Sequence, residues 1–252
     1  MPVITIQDFT GVYAEQPFMQ GLRKSATADG EIRWFDCTRI DGTDCYCDDE
    51  ACSAIKNAIK HISYQAIHFI DSGNYHYMSK LWTDMIASNF NLIVFDHHTD
   101  MQEPSFGDIL SCGGWIKKAI EENPYLQKVF LIGVKMELAL EIPENLKDKI
   151  VCITEQELNN DIPSILEPTS TPFYLSIDKD ALSEEYAITN WDQGSLTLSQ
   201  MKDYIAFFAS NAKLIGVDVC GETDLENCDS KAIEINNKTN RNIVEFINEI
   251  NN

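Results

Sequence analysis

The chain has 252 residues, 44% of them hydrophobic and 23% charged, with a formal net charge of −21. This suits one large soluble domain over residues 1–252 with a substantial core, expected in the cytoplasm because no bilayer-length apolar stretch and no basic-then-apolar leader is present. The acidic balance excludes nucleic acid, for want of a basic patch to meet phosphates, and is compatible with a small cationic partner.

In chain order, Val3–Ile6 is the first strand-like run. Cys37, Cys45, Cys47 and Cys52 follow, and they miss the paired spacing of zinc ribbons, so reduced thiols are expected. Asp49–His61 reads as a helix, with Ala51, Ile55, Ala58 and Ile59 on one stripe. Ala66–Ile70 is a strand, Gly73 allows a tight turn after it, and Tyr77–Ser88 is a helix. Then come strand Leu92–Phe95, helix Gly114–Glu122, strands Val129–Val134 and Ile150–Ile153, short helix Thr154–Asn159 and strand Phe173–Ile177. Leu198–Ser210 is a helix with Thr197 as its N-cap, Leu214–Val219 is the last strand, and Asn240–Ile250 is the last helix. Short apolar strands alternating with helices imply an α/β fold, a mainly parallel sheet covered on both faces.

The chemistry lies at the strand ends. Phe95-Asp96-His97-His98-Thr99-Asp100 follows one strand, and Asp178-Lys179-Asp180 follows another. If the chain stays extended, Asp96, His98 and Asp100 share one face, as do Asp178 and Asp180. Parallel α/β sheets gather their sites at carboxyl ends of strands. Two such ends side by side would bury four carboxylates and an imidazole, which needs compensation by divalent cations. An oxygen-rich set with few imidazoles favours manganese over structural zinc. His76, at the mouth of the Gly73 turn, is a further ligand candidate. Glu222, beyond the last strand, is a candidate to hold a cationic substrate group. Asp218, inside that strand, is expected to hydrogen-bond a ligand or a loop. His68 is expected to pack in the core.

These blocks resemble the arginase, agmatinase and formiminoglutamase family, the ureohydrolases. Asp96-His97-His98-Thr99-Asp100 matches the family's Asp-Ala-His-x-Asp, and Ser176-Ile177-Asp178-Lys179-Asp180 matches Ser-x-Asp-x-Asp. The turn Ser72–Tyr77 and the stretch Thr189–Thr197 are looser echoes. Ser183-Glu184 stands where the family has Asp-Pro, and Gly221 where it has a strand-end Glu. The resemblance implies a three-layer α/β/α fold with two Mn2+ ions per chain. His76, Asp96, Asp100 and Asp178 would hold one; Asp96, His98, Asp178 and Asp180 would hold the other, with Asp96 and Asp178 bridging. It further implies a metal-bridging hydroxide that attacks a guanidinium or amidine carbon, with Asp100 relaying a proton and urea or a related amide leaving with an amine. A homo-oligomer is also implied. The alternatives are a deacetylase-like single-zinc amidohydrolase using Asp96, His98 and one later Asp, and a non-catalytic metal-binding protein of the same fold.

Overall fold

The computed structural model describes residues 3–27, 30–104, 107–158 and 162–251. Its elements are β1 (Ile4–Asp8), α1 (Pro17–Ser25), β2 (Ile32–Asp36), β3 (Tyr46–Cys47), α2 (Asp49–Ile59), β4 (Ile67–Phe69), α3 (Met78–Thr83), β5 (Phe90–Phe95), β6 (Leu110–Ser111), α4 (Trp115–Glu122), β7 (Leu126–Val134), α5 (Met136–Ala139), β8 (Ile150–Thr154), β9 (Phe173–Asp178), α6 (Leu198–Ala209), β10 (Leu214–Cys220) and α7 (Ser230–Ile250). Eight strands form one sheet in the order β2-β1-β4-β10-β9-β5-β7-β8. Every pairing in it is parallel. β3 and β6 make a separate antiparallel pair.

The period-two rule accounts for the layers. In β5, Leu92 and Val94 join a core with α2, α3 and α4, through Ile55, Trp82 and Trp115. Ile93 and Phe95 enter the opposite core with α6 and α7, through Tyr204, Phe208 and Ile243. A sheet buried on both faces gives the uninterrupted apolar runs seen in the sequence. The result is a three-layer α/β/α fold.

Strand register builds the site. Phe95 pairs with Ile177, so Asp96 follows directly beside Asp178. Cys220 pairs with Asp178, and Val219 with Phe69, which brings the β4 turn to the same edge. β5 follows β4 in sequence, yet β9 and β10 lie between them in the sheet. This change in strand order opens a crevice at the carboxyl ends.

Several elements depart from the sequence expectations. α1 and β2 went unread: α1 has only Met19 fully buried, and β2 is an edge strand with no fully buried residue. α3 stops at Thr83. α7 begins ten residues before the predicted Asn240, because the Asp229 side chain caps it by accepting from Ala232 N at 2.8 Å. The turn after β8 is a single 3-10 turn, Glu155–Glu157, and Asn159 lies outside the described residues. Thr197 does cap α6, in a reciprocal pair with Gln200.

His68 is a fully buried core residue stacked on Trp82, with ring centroids 3.7 Å apart. Its Nδ1 accepts from Thr5 Oγ1 and its Nε2 faces Tyr64 O at 3.3 Å, an arrangement that holds the neutral ring. Burial pushes its pKa from 6.5 down to about 3. The unfolded chain therefore binds a proton below pH 6.5 that the folded chain refuses. Stability from this group is intact above pH 6.5 and is lost as pH falls toward 3, at up to about 1.4 kcal/mol per pH unit. Urea unfolding between pH 4.5 and 7 is expected to show a shallower pH slope for His68→Gln than for the parent; equal slopes would refute this.

Candidate metal centre

Two imidazoles and four carboxylates converge above the ends of β4, β5, β9 and β10. His76 Nδ1 lies 3.2 Å from Asp96 Oδ2, 3.0 Å from Asp100 Oδ2 and 3.5 Å from Asp178 Oδ2. His98 Nδ1 lies 2.9 Å from Asp180 Oδ2 and 3.4 Å from Asp96 Oδ1. Among the described residues, three trios have donor atoms close enough to share an ion: His76, Asp96 and Asp100; Asp96, His98 and Asp180; and His76, Asp178 and Cys220. Asp96 belongs to two of them, and so does His76.

The chain does not stay extended after β5. That strand ends at Phe95, and Asp100 adopts a left-handed backbone with φ 48°, which Asp tolerates better than most residues. The turn brings the third motif carboxylate back over the site, where Trp115 Nε1 donates to Asp100 Oδ2 at 2.7 Å. After β9, Lys179–Ala181 is likewise a tight turn, in which Asp178 Oδ1 accepts from Asp180 N at 3.0 Å. Asp178 and Asp180 therefore share the site through a turn and not through strand alternation.

Both rings are anchored from behind. His76 Nε2 is 2.9 Å from Ser176 Oγ, and Ser176 in turn donates to Asp218 Oδ1 at 2.6 Å. The serine proton is committed to Asp218, so Ser176 accepts from Nε2–H, and Nδ1 is the nitrogen turned toward the carboxylates. His98 repeats the scheme, with Nε2 3.0 Å from Asp192 Oδ1. Fixing the tautomer through the distal nitrogen is how metal-binding imidazoles are usually oriented. Asp218 bonds Ser176 and reaches His76 only through that serine. Asp192 and Trp115 were missed; Asp192 sits within the Thr189–Thr197 block, but nothing in its spacing tells which histidine it will meet.

The electrostatics are those of an anionic pocket. Burial, reinforced by the Asp96 charge, raises Asp100 to about 7. Burial also raises Asp178 and, aided by Asp178, Asp180. Burial opposes ionisation of Asp96 too, but hydrogen bonds from His76 and His98 outweigh it and hold that carboxyl well below its usual range. Burial alone would lower His98; its hydrogen bonds to Asp180 and Asp96 win and lift it to about 12.

Glu222 corrects the sequence reading. It is fully buried on the other face of the sheet, ion-paired with the buried Lys179. It also accepts from Gln16 Nε2 at 2.7 Å, Asn236 Nδ2 at 3.0 Å and Asn240 Nδ2 at 2.7 Å. The reason is Gly221, with φ 83°: this left-handed residue interrupts the strand before Glu222 resumes parallel pairing beside Ser72, and any Cβ on it would sit 2.5 Å from Asp178 Oδ1. Alternation is broken and the next side chain is sent away from the pocket.

The centre floors a cleft of about 210 Å³, bordered by Tyr46, Gln102, Glu103, Cys112 and Trp191. Its lining has five carboxylates (Asp96, Asp100, Glu103, Asp178 and Asp180), two imidazoles and no Lys or Arg among the described residues. A larger cavity of about 570 Å³ lies at the other end of the strands, around Ile67, Lys213 and Gly216, far from any of the donor trios.

The family model described as "Arginase family" matches residues 17–246. The chain belongs to the arginase family. A protein described as uncharacterized, from Thermotoga maritima, is 30% identical over 224 residues, covering 88% of this chain and 81% of that protein. Among solved structures, the agmatine ureohydrolase of Thermoplasma volcanium is similar with a TM-score of 0.68 and 12% identity, over 97% of this chain and 89% of that one. The formimidoylglutamase of Bacillus subtilis has a TM-score of 0.63 and 12% identity, over 96% and 87%. At these identities the structural likeness speaks for the fold, and it agrees with the parallel-sheet architecture described above.

Proposed function

We propose that this arginase-family protein is a two-metal hydrolase of C–N bonds in a small cationic guanidino or amidino compound, releasing urea or a related amide and an amine. The observation that carries the reading is the cleft's composition: buried carboxylates in two donor sets joined at Asp96, with no cationic side chain beside them. Four ionised carboxylates and two neutral imidazoles match the charge of two divalent ions. Their oxygen-rich chemistry suits Mn2+.

His76, Asp96, Asp100 and Asp178 would hold one ion, and Asp96, His98, Asp178 and Asp180 the other. When bound, two such ions neutralise the buried carboxylates and make water acidic enough to serve as a nucleophile near neutral pH. Ser176 and Asp192 keep the rings of His76 and His98 in the ligating tautomer. Trp115 Nε1 holds Asp100 Oδ2, leaving Oδ1 to carry a proton toward the leaving amine. The face of Trp191, 40% exposed at the rim, suits a planar cation. The small cleft suits a compact substrate. No helix among the described residues is long and apolar enough to cross a membrane.

Elemental analysis of purified protein, with urea and amine release assayed over a panel of guanidino and amidino compounds in added Mn2+, tests the proposal. About two Mn2+ per chain and release from at least one compound is the expected result. One zinc per chain with no release would favour the single-zinc alternative, and metal without turnover the non-catalytic one.

Metal uptake should also report the protons that the ligands carry. With Asp100 at about 7 and His98 at about 12, both hold protons in the metal-free protein on the acid side of neutrality. Apparent Mn2+ affinity is expected to rise with pH, by about tenfold per unit for each displaced proton. The dependence should be steeper below pH 7, where Asp100 contributes, than above it. Affinity measured by competition with a chelator from pH 6 to 8.5 checks this, and a flat profile would refute it.

A further inference from the structure

The reading above leaves one donor unused. Cys220 is the last residue of β10 and is fully buried. Asp218 and Cys220 face the same side of the sheet, while Val217 and Val219 pack into the opposite core. Parallel register sets Cys220 directly beside Asp178. Its Sγ lies 3.1 Å from Asp178 Oδ2, and the thiol, the Asp178 carboxylate and a His76 nitrogen form one of the three donor trios.

The spacing is what neighbouring ligands of a single ion require. Donors bonded at about 2.1 Å for oxygen and about 2.3 Å for sulfur, at right angles, lie roughly 3.1 Å apart. The His76 contacts to Asp96, Asp100 and Asp178, at 3.2, 3.0 and 3.5 Å, fall in the same range. Sulfur therefore stands with His76 and Asp178, two of the residues proposed to hold the first ion. The second trio, Asp96, His98 and Asp180, holds nitrogen and oxygen alone.

We propose that Cys220 is a thiolate ligand at the His76 position, making the two metal positions chemically unequal. This rests on the two-metal reading of the centre. On coordination the S–H bond breaks, the metal–sulfur bond forms and the proton passes to solvent. A soft thiolate in a mixed nitrogen, oxygen and sulfur set draws that position toward cobalt, iron or zinc, while the His98 position keeps the preference for harder ions. The competing account is a buried cysteine serving as a small apolar filler with a weak hydrogen bond to Asp178.

Cobalt distinguishes the two, because only a sulfur-bound ion gives an intense near-ultraviolet sulfur-to-cobalt charge-transfer band. Metal-free full-length protein, kept reduced with a phosphine, is titrated with Co2+ while bound cobalt is measured by elemental analysis. The band is expected in the parent protein, lost in Cys220→Ser and Cys220→Ala, and retained in Cys45→Ser and Cys112→Ser, whose thiols border the cleft. Bound cobalt without the band in the parent protein overturns the thiolate assignment and leaves the two-metal reading standing. A band that survives Cys220→Ser overturns it as well. No cobalt bound to the parent protein overturns both. The parent spectrum does not depend on any variant folding, and Cys220→Ser differs from the native side chain by one atom.

Discussion

If the proposed two-metal centre holds, Asp96→Ala is expected to empty both metal positions at once and to lower turnover by well over about 100-fold, beyond the 10- to 100-fold typical of changes behind the ligands. The reason is its placement. Asp96 is the carboxylate common to the two trios, with Oδ2 toward His76 and Oδ1 toward His98. Its loss removes a ligand from each ion and leaves Asp178 and Asp180 facing each other with less positive charge nearby. Asp192→Asn is the matched control: it keeps every proposed ligand and weakens the anchor on His98 Nε2 together with the exposed ion pair to Lys135, so metal affinity should fall by about 10- to 100-fold. Elemental analysis after dialysis, with circular dichroism to check folding, separates the outcomes. Retention of two ions by a folded Asp96→Ala protein would sink the assignment of Asp96 as the shared ligand.

The comparison of Asp96 with Asp100 indicates how far the sequence could be read. Asp96 follows a fully buried strand, and both its position at a carboxyl end and its direction follow from alternation. Asp100 was assigned to the same face by extending the strand, but it reaches the site through a left-handed turn. The pairing of strand ends was legible because apolar runs mark strands. The order of those strands was not: β9 and β10 insert between β4 and β5, and only long-range pairing decides that. Partners such as Asp192, contributed by a distant loop to His98, are invisible for the same reason. α1 and β2 escaped notice because they are half-exposed and carry no continuous apolar run.

Glu222 is the residue for which alternation misled most, and its real position makes the second large prediction. Lys179 and Glu222 are both 0% exposed, and they meet beneath α7 with Gln16, Asn236 and Asn240 completing the polar cage. Removing one member of a buried pair leaves the other charged and unpaired, at a cost of about 3–5 kcal/mol. Glu222→Ala is expected to lose about that much stability, read as a lower urea midpoint at unchanged m-value. Replacing both, as Lys179→Met with Glu222→Leu, should cost less than Glu222→Ala alone, because no charge is stranded, although the amides of Gln16, Asn236 and Asn240 lose their acceptor. A substrate-binding carboxylate would behave the other way: Glu222→Ala would raise KM in a protein of near-native stability. The same buried pair tethers Lys179 between Asp178 and Asp180, so metal affinity in Glu222→Ala should decline together with stability. A variant with unchanged unfolding but weakened substrate binding would return Glu222 to the cleft and overturn the placement argued from Gly221.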